Sequence, residues 1–424
     1  MKEPLNRRSV LKWAAAMPWL GSIAAGALWQ KARAAVTKTA SGDIYARIGV
    51  RSFINARGTW TYLSASLELP EVRAAQEEAA KHFVDIFELQ RGVGRRLAEL
   101  SGAESGMVTS GAAGAIASAT AACIAGTDPA KIWQLPDTTG LKNEVIMFGG
   151  RSAFDSAARL AGGKLVVVHT HDELRSAIGP NSAMIYTTAL GDRLEKAIAI
   201  ANQGSVPLLL DDAAGIPPIG NLRLYAKMGA DMFCFSGGKG LGGPQCSGLL
   251  LGRKDLIEAA LANTSPWEGS VCRAMKVGKE EVMGCLAAVE AWQTLDLDAL
   301  NREWNQKVKR LAAIVETVPG VTTNITIPKD GNRYPTFTVN WDEPTWNFTV
   351  ADCDRELRAG EPRIEVLTAS NPSLVSAVTE HHDAKTPRAN KLQVVSLTLR
   401  PGEDLIVGRR LREILNTARK KASA

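Results

Sequence analysis

The sequence has no CxxC pair and no cysteine spacing suited to a metal ion. Its six cysteines, Cys123, Cys234, Cys246, Cys272, Cys285 and Cys353, stand mostly among apolar or small residues. That context reads as buried thiols and not as a disulfide framework. Internal repeats and low-complexity tracts are also missing, and beyond residue 34 no run is long and apolar enough to span a membrane. A basic surplus is missing too, once the N-terminus is set aside. The chain carries a formal net charge of +6, but residues 1–34 hold Lys2, Arg7, Arg8, Lys12, Lys31 and Arg33 against Glu3 alone. Five of the six charges lie there, so the remainder is near +1. Such a body lacks the electrostatic footprint of a nucleic-acid binder.

What the N-terminus does contain is an address. NRRSVLK (6–12) is followed by an uncharged stretch from Trp13 to Trp29 and an A-x-A site at Ala32-Arg33-Ala34. Basic, apolar and small-residue regions in that order make an export signal, and the paired arginines point to the twin-arginine route. The expectation is a signal over residues 1–34, the twin-arginine machinery as a partner, and a periplasmic or otherwise exported protein. That route carries folded proteins and suits a chain that takes up a cofactor before leaving.

From about residue 70, helical patterns alternate with short apolar runs: GMVTS (106–110), EVIMF (144–148), KLVVV (164–168), SAMIYTT (182–188), VPLLLD (206–211), ADMFCFS (230–236) and SGLLLG (247–252). Continuous apolar strands alternating with helices predict an α/β fold with a mostly parallel sheet covered on both faces. PEVRAAQEEAAKHFVDIFEL (70–89) reads as one helix and residues 279–318 as a long helical region. Strand-like VTTNITIP, YPTFTVNW and KLQVVSLTL follow, with a helix around ADCDRELRAG and a final amphipathic helix from Gly402. We therefore expect a large domain over 35–300 and a small C-terminal α+β domain over 301–424.

One stretch carries chemistry. FSGGKGLGGPQCSGLLLG (235–252) sets Lys239 among glycines between two apolar strands. A glycine-rich surface turn is the simplest reading. A phosphate-binding P-loop is excluded, because Phe233 stands where its first glycine belongs and Gly240 follows the lysine. Ser236-Gly-Gly-Lys239 matches the S-x-x-K of serine acyl-transfer enzymes. That motif needs a helix after the serine, and Gly-Leu-Gly-Gly-Pro cannot supply one. Its companion K-T-G is replaced by Lys385-Thr386-Pro387. The third reading is a lysine that forms a Schiff base with pyridoxal phosphate: glycines admit the flat cofactor, and apolar surroundings strip the amine of its proton.

That chemistry needs two further parts. The cofactor's ring nitrogen needs an acid, and Asp211 closes the strand VPLLLD twenty-eight residues before the lysine. Its phosphate needs a helix N-terminus, and MVTSGAAGAI runs from a strand through Ser110-Gly111 into a small-residue helix. Each could instead be a simple N-cap.

With these residues in place, the chain resembles the selenocysteine-synthase-like branch of fold-type I pyridoxal-phosphate enzymes, which includes D-glucosaminate-6-phosphate ammonia-lyase-like proteins. The likeness runs through INARGTWT (54–61), RRLAELSGAE (95–104), LLLDDAAGIPP (208–218), the lysine segment, RAMKVGKEE (273–281) and LRPGEDLIVGRRL (399–411). It implies a seven-stranded, mostly parallel sheet, a small C-terminal domain and an active site at the interface of a homodimer or larger assembly. It makes Lys239 the Schiff-base lysine and Asp211 the partner of the ring nitrogen. Ser110, Gly111, Ala112 and Ser236 would bind the phosphate. Arg57, Arg273, Lys276 and either Arg400 or Arg363 would meet substrate anions, or else form salt bridges. Gly150 departs from the family by replacing a histidine that would stack on the cofactor, leaving Phe148 or Phe154 for that place. No tRNA-binding domain precedes the body, so a small amine or amino acid is the expected substrate and nucleic acid is not an expected partner. A lyase acting by β-elimination or deamination on an amino acid or amino-sugar acid is the preferred reading. Racemase, aminotransferase and a non-catalytic exported binding protein stay open.

Overall fold

The computed structural model describes residues 44–329, 333–368 and 391–423. The expected export signal and the Lys385-Thr386-Pro387 string lie outside them. Met1–Phe53 and Ile54–Ala424 form two compact units. Of the first, only Ile44–Phe53 is described, with a 3-10 turn over Ala46–Ile48 that ends on Gly49 at φ 74°.

The strands are β1 (Phe53–Ala56), β2 (Ser105–Thr109), β3 (Glu144–Phe148), β4 (Lys164–Val168), β5 (Ser182–Thr187), β6 (Leu208–Asp211), β7 (Met232–Ser236), β8 (Gly248–Gly252), β9 (Thr322–Thr326), β10 (Thr336–Asn340), β11 (Arg363–Val366) and β12 (Leu392–Val395). Seven of them form one sheet in the order β2-β8-β7-β6-β5-β3-β4. Only β8 runs against its neighbours. The fold is α/β with a mostly parallel seven-stranded sheet, as the alternating apolar runs predict. In the second half, β12-β10-β9 form an antiparallel sheet and β1 pairs with β11.

Both faces of the large sheet are buried, which is why its strands read as unbroken apolar runs. Alternation sends Ile146, Phe148, Ile185, Leu208, Leu210, Phe233 and Phe235 into one core. Met147, Met184, Tyr186, Leu209, Met232 and Cys234 enter the opposite one. Each such aliphatic side chain is worth about 1.5–3 kcal/mol of transfer free energy. A third cluster joins Ile54 and Ala56 to residues from Val308 to Ala418.

Two helical expectations need correction. Residues 70–89 are not one helix: Pro70–Ala79 stops, and a second begins at Ile86, capped by the Asp85 side chain on the Glu88 N–H. The 279–318 region likewise divides into Lys279–Trp292 and Leu297–Val315, with Asp296 capping the latter. In both places an aspartate accepting a backbone N–H competes with helix continuation.

The helix Gly111–Ala125 crosses the second face of the sheet and is buried nearly all round. Its alanines and glycines allow unusually close packing. Gly248, the first residue of β8, lies under its start: a Cβ there would stand 2.5 Å from the Gly111 carbonyl carbon and 2.8 Å from the Ala112 nitrogen. Gly248→Ala should lower stability by about 1–3 kcal/mol through overpacking, read as a reduced urea midpoint at unchanged m-value. A midpoint equal to wild type would show that this approach is not tight.

Candidate active site

Three chain ends meet around Gly248. It pairs with Thr109 on one side and with Ser236 on the other. The start of the Gly111–Ala125 helix and the end of β7 are therefore one strand apart on either side of β8, at the edge where the parallel strands end. Ser110 occupies the N-cap position, but its side chain caps nothing. No side chain among the described residues caps the first-turn N–H groups of the helix, and their partial positive charge suits an anion. Gly111, at φ 76°, has open space where a side chain would project.

Asp211 closes β6 and is 8% exposed. The next helix begins at Asn221, so Asp211 is not its N-cap. The Tyr186 hydroxyl donates to Oδ2 at 2.6 Å and the Ala213 N–H to Oδ1 at 3.1 Å, while the Cys234 Sγ lies 3.7 Å from Oδ1. Tyr186 and Cys234 are the residues that sequence reasoning missed. The available signal was a tyrosine in an otherwise apolar buried strand, whose hydroxyl must find a partner.

Lys239 follows β7 on a turn held by the Gly242 N–H to its own carbonyl and by the Trp292 indole to the Leu241 carbonyl. Ser66 donates both its N–H and its hydroxyl to the Gly238 carbonyl. The glycines permit backbone contact: a Cβ on Gly240 would stand 2.2 Å from the Ile216 oxygen, and one on Gly238 would stand 2.7 Å from the Gln245 Cα. Burial pushes the Lys239 amine below the ordinary lysine range, and Asp211, Cys234 and Asp212 partly oppose that shift. Phe154 sets its ring centroid 6.0 Å from the Lys239 Nζ. Phe148 is instead buried, with His171 5.0 Å and Arg193 4.6 Å from its ring, so it does not cover the site. Beside Gly150 lies His169, whose Cε1 would be 3.5 Å from an added Cβ.

The candidate cations fall into separate surroundings. Arg273 and Lys276 are exposed on the segment after Thr264 and form no ion pair among the described residues. Arg400 pairs with Glu403 at 2.7 Å. Arg57 is 1% exposed, donates to the Val366 carbonyl at 2.9 Å and faces the Trp60 and Tyr62 rings. Burial lowers its pKa, and it shares its surroundings with Asp354, Arg358 and Glu365. Arg363 also pairs with that buried Glu365.

The sequence profile of the SelA family, L-seryl-tRNA selenium transferase, matches residues 85–319, more than half of the chain. The chain belongs to that family. It is 32% identical over 339 residues to a 5'-C-glycyluridine monooxygenase-decarboxylase of a Streptomyces species, covering 76% of this chain and 83% of that protein. It is 30% identical over 336 residues to the D-glucosaminate-6-phosphate ammonia lyase of Salmonella typhimurium, covering 75% of this chain and 88% of the relative. A solved structure of D-glucosaminate-6-phosphate ammonia-lyase superposes with a TM-score of 0.73 at 28% identity, over 89% of this chain and 99% of the other. This SelA-family protein is a pyridoxal-phosphate-dependent enzyme. Its residues fit that cofactor: a desolvated amine, a buried carboxylate and an uncapped helix start share one end of the sheet.

Lys239→Ala should abolish the visible absorbance band that borohydride removes from the loaded wild-type protein. The rate at which that band forms in the apoprotein should rise with pH, because only the neutral amine reacts. Its midpoint should lie below the 10.5 of an ordinary lysine. Asp211→Asn removes a charge that favours the ammonium form and should move the midpoint lower still. Band formation with a midpoint at or above 10.5 would contradict the desolvated amine.

Proposed function

We propose that this SelA-family enzyme is a lyase that acts on an amino acid or amino-sugar acid by β-elimination or deamination. The observation that carries this reading is the desolvated Lys239 amine beside Asp211 at the strand ends. The ammonia lyase among its relatives supports the reaction class. When bound, pyridoxal phosphate supplies an electron sink for charge left at the substrate α-carbon. Ser110, Gly111, Ala112 and Ser236 would hold its phosphate, and Asp211 would keep a proton on its ring nitrogen. Lys239 would hold the cofactor, and its amine, when free, would be the base that takes the proton from the substrate α-carbon. The overall reaction proposed is loss of the β-substituent with its electron pair and hydrolytic release of the nitrogen as ammonia, leaving a 2-keto acid. Arg273 and Lys276 are the exposed cations for the substrate anion, while Arg57, Arg363 and Arg400 already hold protein partners. The near-neutral charge of residues 35–424 favours a small molecule over tRNA.

Export belongs to the same proposal, on NRRSVLK and the uncharged stretch after it. So does a homodimer: Phe83, Val84 and Trp267 are exposed beside a groove of about 530 Å3 lined by Phe87, Arg91 and Glu258.

Incubation of the loaded enzyme with single enantiomers of amino acids and amino-sugar acids tests the reaction. Keto acid with stoichiometric ammonia is expected. A mixture of enantiomers would assign a racemase, amine transfer to an added keto acid an aminotransferase, and a bound cofactor without turnover a binding protein. With the true substrate, Arg273→Ala or Lys276→Ala should raise KM about tenfold or more, the loss expected for a hydrogen bond to a charged group. Unchanged KM in both would remove them from the substrate site.

A further inference from the structure

Asp211 has a partner on β5 whose position nothing in the family reading explains. Tyr186, 3% exposed, stands in register with Leu209 on β6. Side chains two residues apart along a strand share a face, so the Tyr186 ring lies on the face of Leu209 and Asp211, under the Gly111–Ala125 helix. Its hydroxyl reaches diagonally to Asp211 Oδ2 at 2.6 Å. An ionised carboxylate offers about four lone-pair positions. Tyr186 takes one, the Ala213 N–H a second and the Cys234 thiol, more weakly at 3.7 Å, a third. The donors come from β5, from the loop after β6 and from β7, so the carboxylate is held from three sides and, among the described residues, one position is left.

We propose that Tyr186 is a positioning residue: its hydroxyl fixes the rotation of the Asp211 carboxylate so that the one remaining lone pair faces the ring nitrogen of the cofactor. This rests on Asp211 being the partner of that nitrogen. Burial, and then Asp211 itself, hold the phenol far above its usual pKa, so it stays a donor throughout the working range. The ring is packed with Met147, Met184 and Leu209. Tyr186→Phe therefore removes the donor and keeps the packing.

The test is cofactor affinity, measured by quenching of tryptophan fluorescence as apoprotein is titrated with pyridoxal phosphate, with the absorbance spectrum of the bound cofactor recorded alongside. It is run on wild type, Tyr186→Phe, Asp211→Ala and the double variant. Tyr186→Phe should weaken binding about tenfold and shift the absorbance maximum, with a lowered but still cooperative circular-dichroism melt that leaves the protein folded at the assay temperature. In the Asp211→Ala background the same change should have no further effect, because Tyr186 acts through that carboxylate. Equal affinity and spectrum in Tyr186→Phe and wild type would overturn the proposal. So would a tenfold loss that persists without Asp211, since Tyr186 would then act elsewhere. Wild type and Asp211→Ala binding alike would overturn the Asp211 assignment itself, a result distinct from either. If Tyr186→Phe melts below the assay temperature, 3-fluorotyrosine at 186 serves instead: its more acidic hydroxyl should shift affinity and the absorbance maximum with Asp211 present and leave both unmoved in Asp211→Ala, and no shift with Asp211 present would overturn the proposal.

Discussion

The backbone contact between Gly248 and the first turn of the Gly111–Ala125 helix governs the geometry of the site. A helix start can present its N–H groups to an anion only if it reaches the strand ends, and side chains of ordinary size would hold it away from the sheet. Here the sheet offers a glycine and the helix offers glycine and alanine, so backbone meets backbone. The same register places Thr109 and Ser236 on either side of Gly248. The helix start and the end of β7 thereby share one reference strand, Asp211 is tied to β7 through its register with Cys234, and Lys239 sits on the hydrogen-bonded turn that follows β7.

Much of this was legible in the sequence because strongly buried elements leave strong patterns. β3 and β4 coincide with EVIMF and KLVVV, β5, β6, β7 and β8 fall inside their apolar runs, and β2 starts one residue before GMVTS. The burial of Lys239 and Asp211 was less legible: a surface turn and a helix N-cap were the simple readings of those residues, and only the packed surroundings of Asp211 and the desolvation of Lys239 set them apart. The break between Ala79 and Ile86 was not legible, because Ala-Lys-His-Phe-Val has no helix breaker and only the Asp85 cap ends the pattern. β1 and β11 are four residues each and pair across about three hundred residues, beyond any local signal. Tyr186 escaped for a related reason: its hydroxyl bond belongs to a neighbouring strand, and register is not written in one strand alone.

The cations show the limit of reading charge from sequence. Arg57 and Arg273 look alike as letters, yet one is buried against the Val366 carbonyl and the other is open to solvent. Arg57, Arg358 and Arg363 meet Asp354 and Glu365 in the interior beside β11, and burial raises the pKa of Asp354 even with Arg358 bonded to it at 3.0 Å. Such a network gains little net stability, since desolvation offsets most of the attraction, but removal of one member leaves a charge uncompensated. It joins the INARG segment to the C-terminal half, which explains charged residues there without requiring a ligand.

The Gly111–Ala125 helix has a consequence for how this sequence can change. Its side chains are nearly all glycine, alanine, serine, threonine or cysteine, and almost every one faces a packed neighbour. Most helices keep a wet face on which mutations are accepted freely; this one has almost none. Its permitted alphabet is therefore set by volume: apart from Ile116 and Ile124, its packed positions hold small residues, and a larger one at the first turn would push the helix start away from Gly248. Substitutions are accommodated more readily in the exposed segment after Thr264 and around exposed Phe154 than in the crossing helix, whose packed positions leave little room.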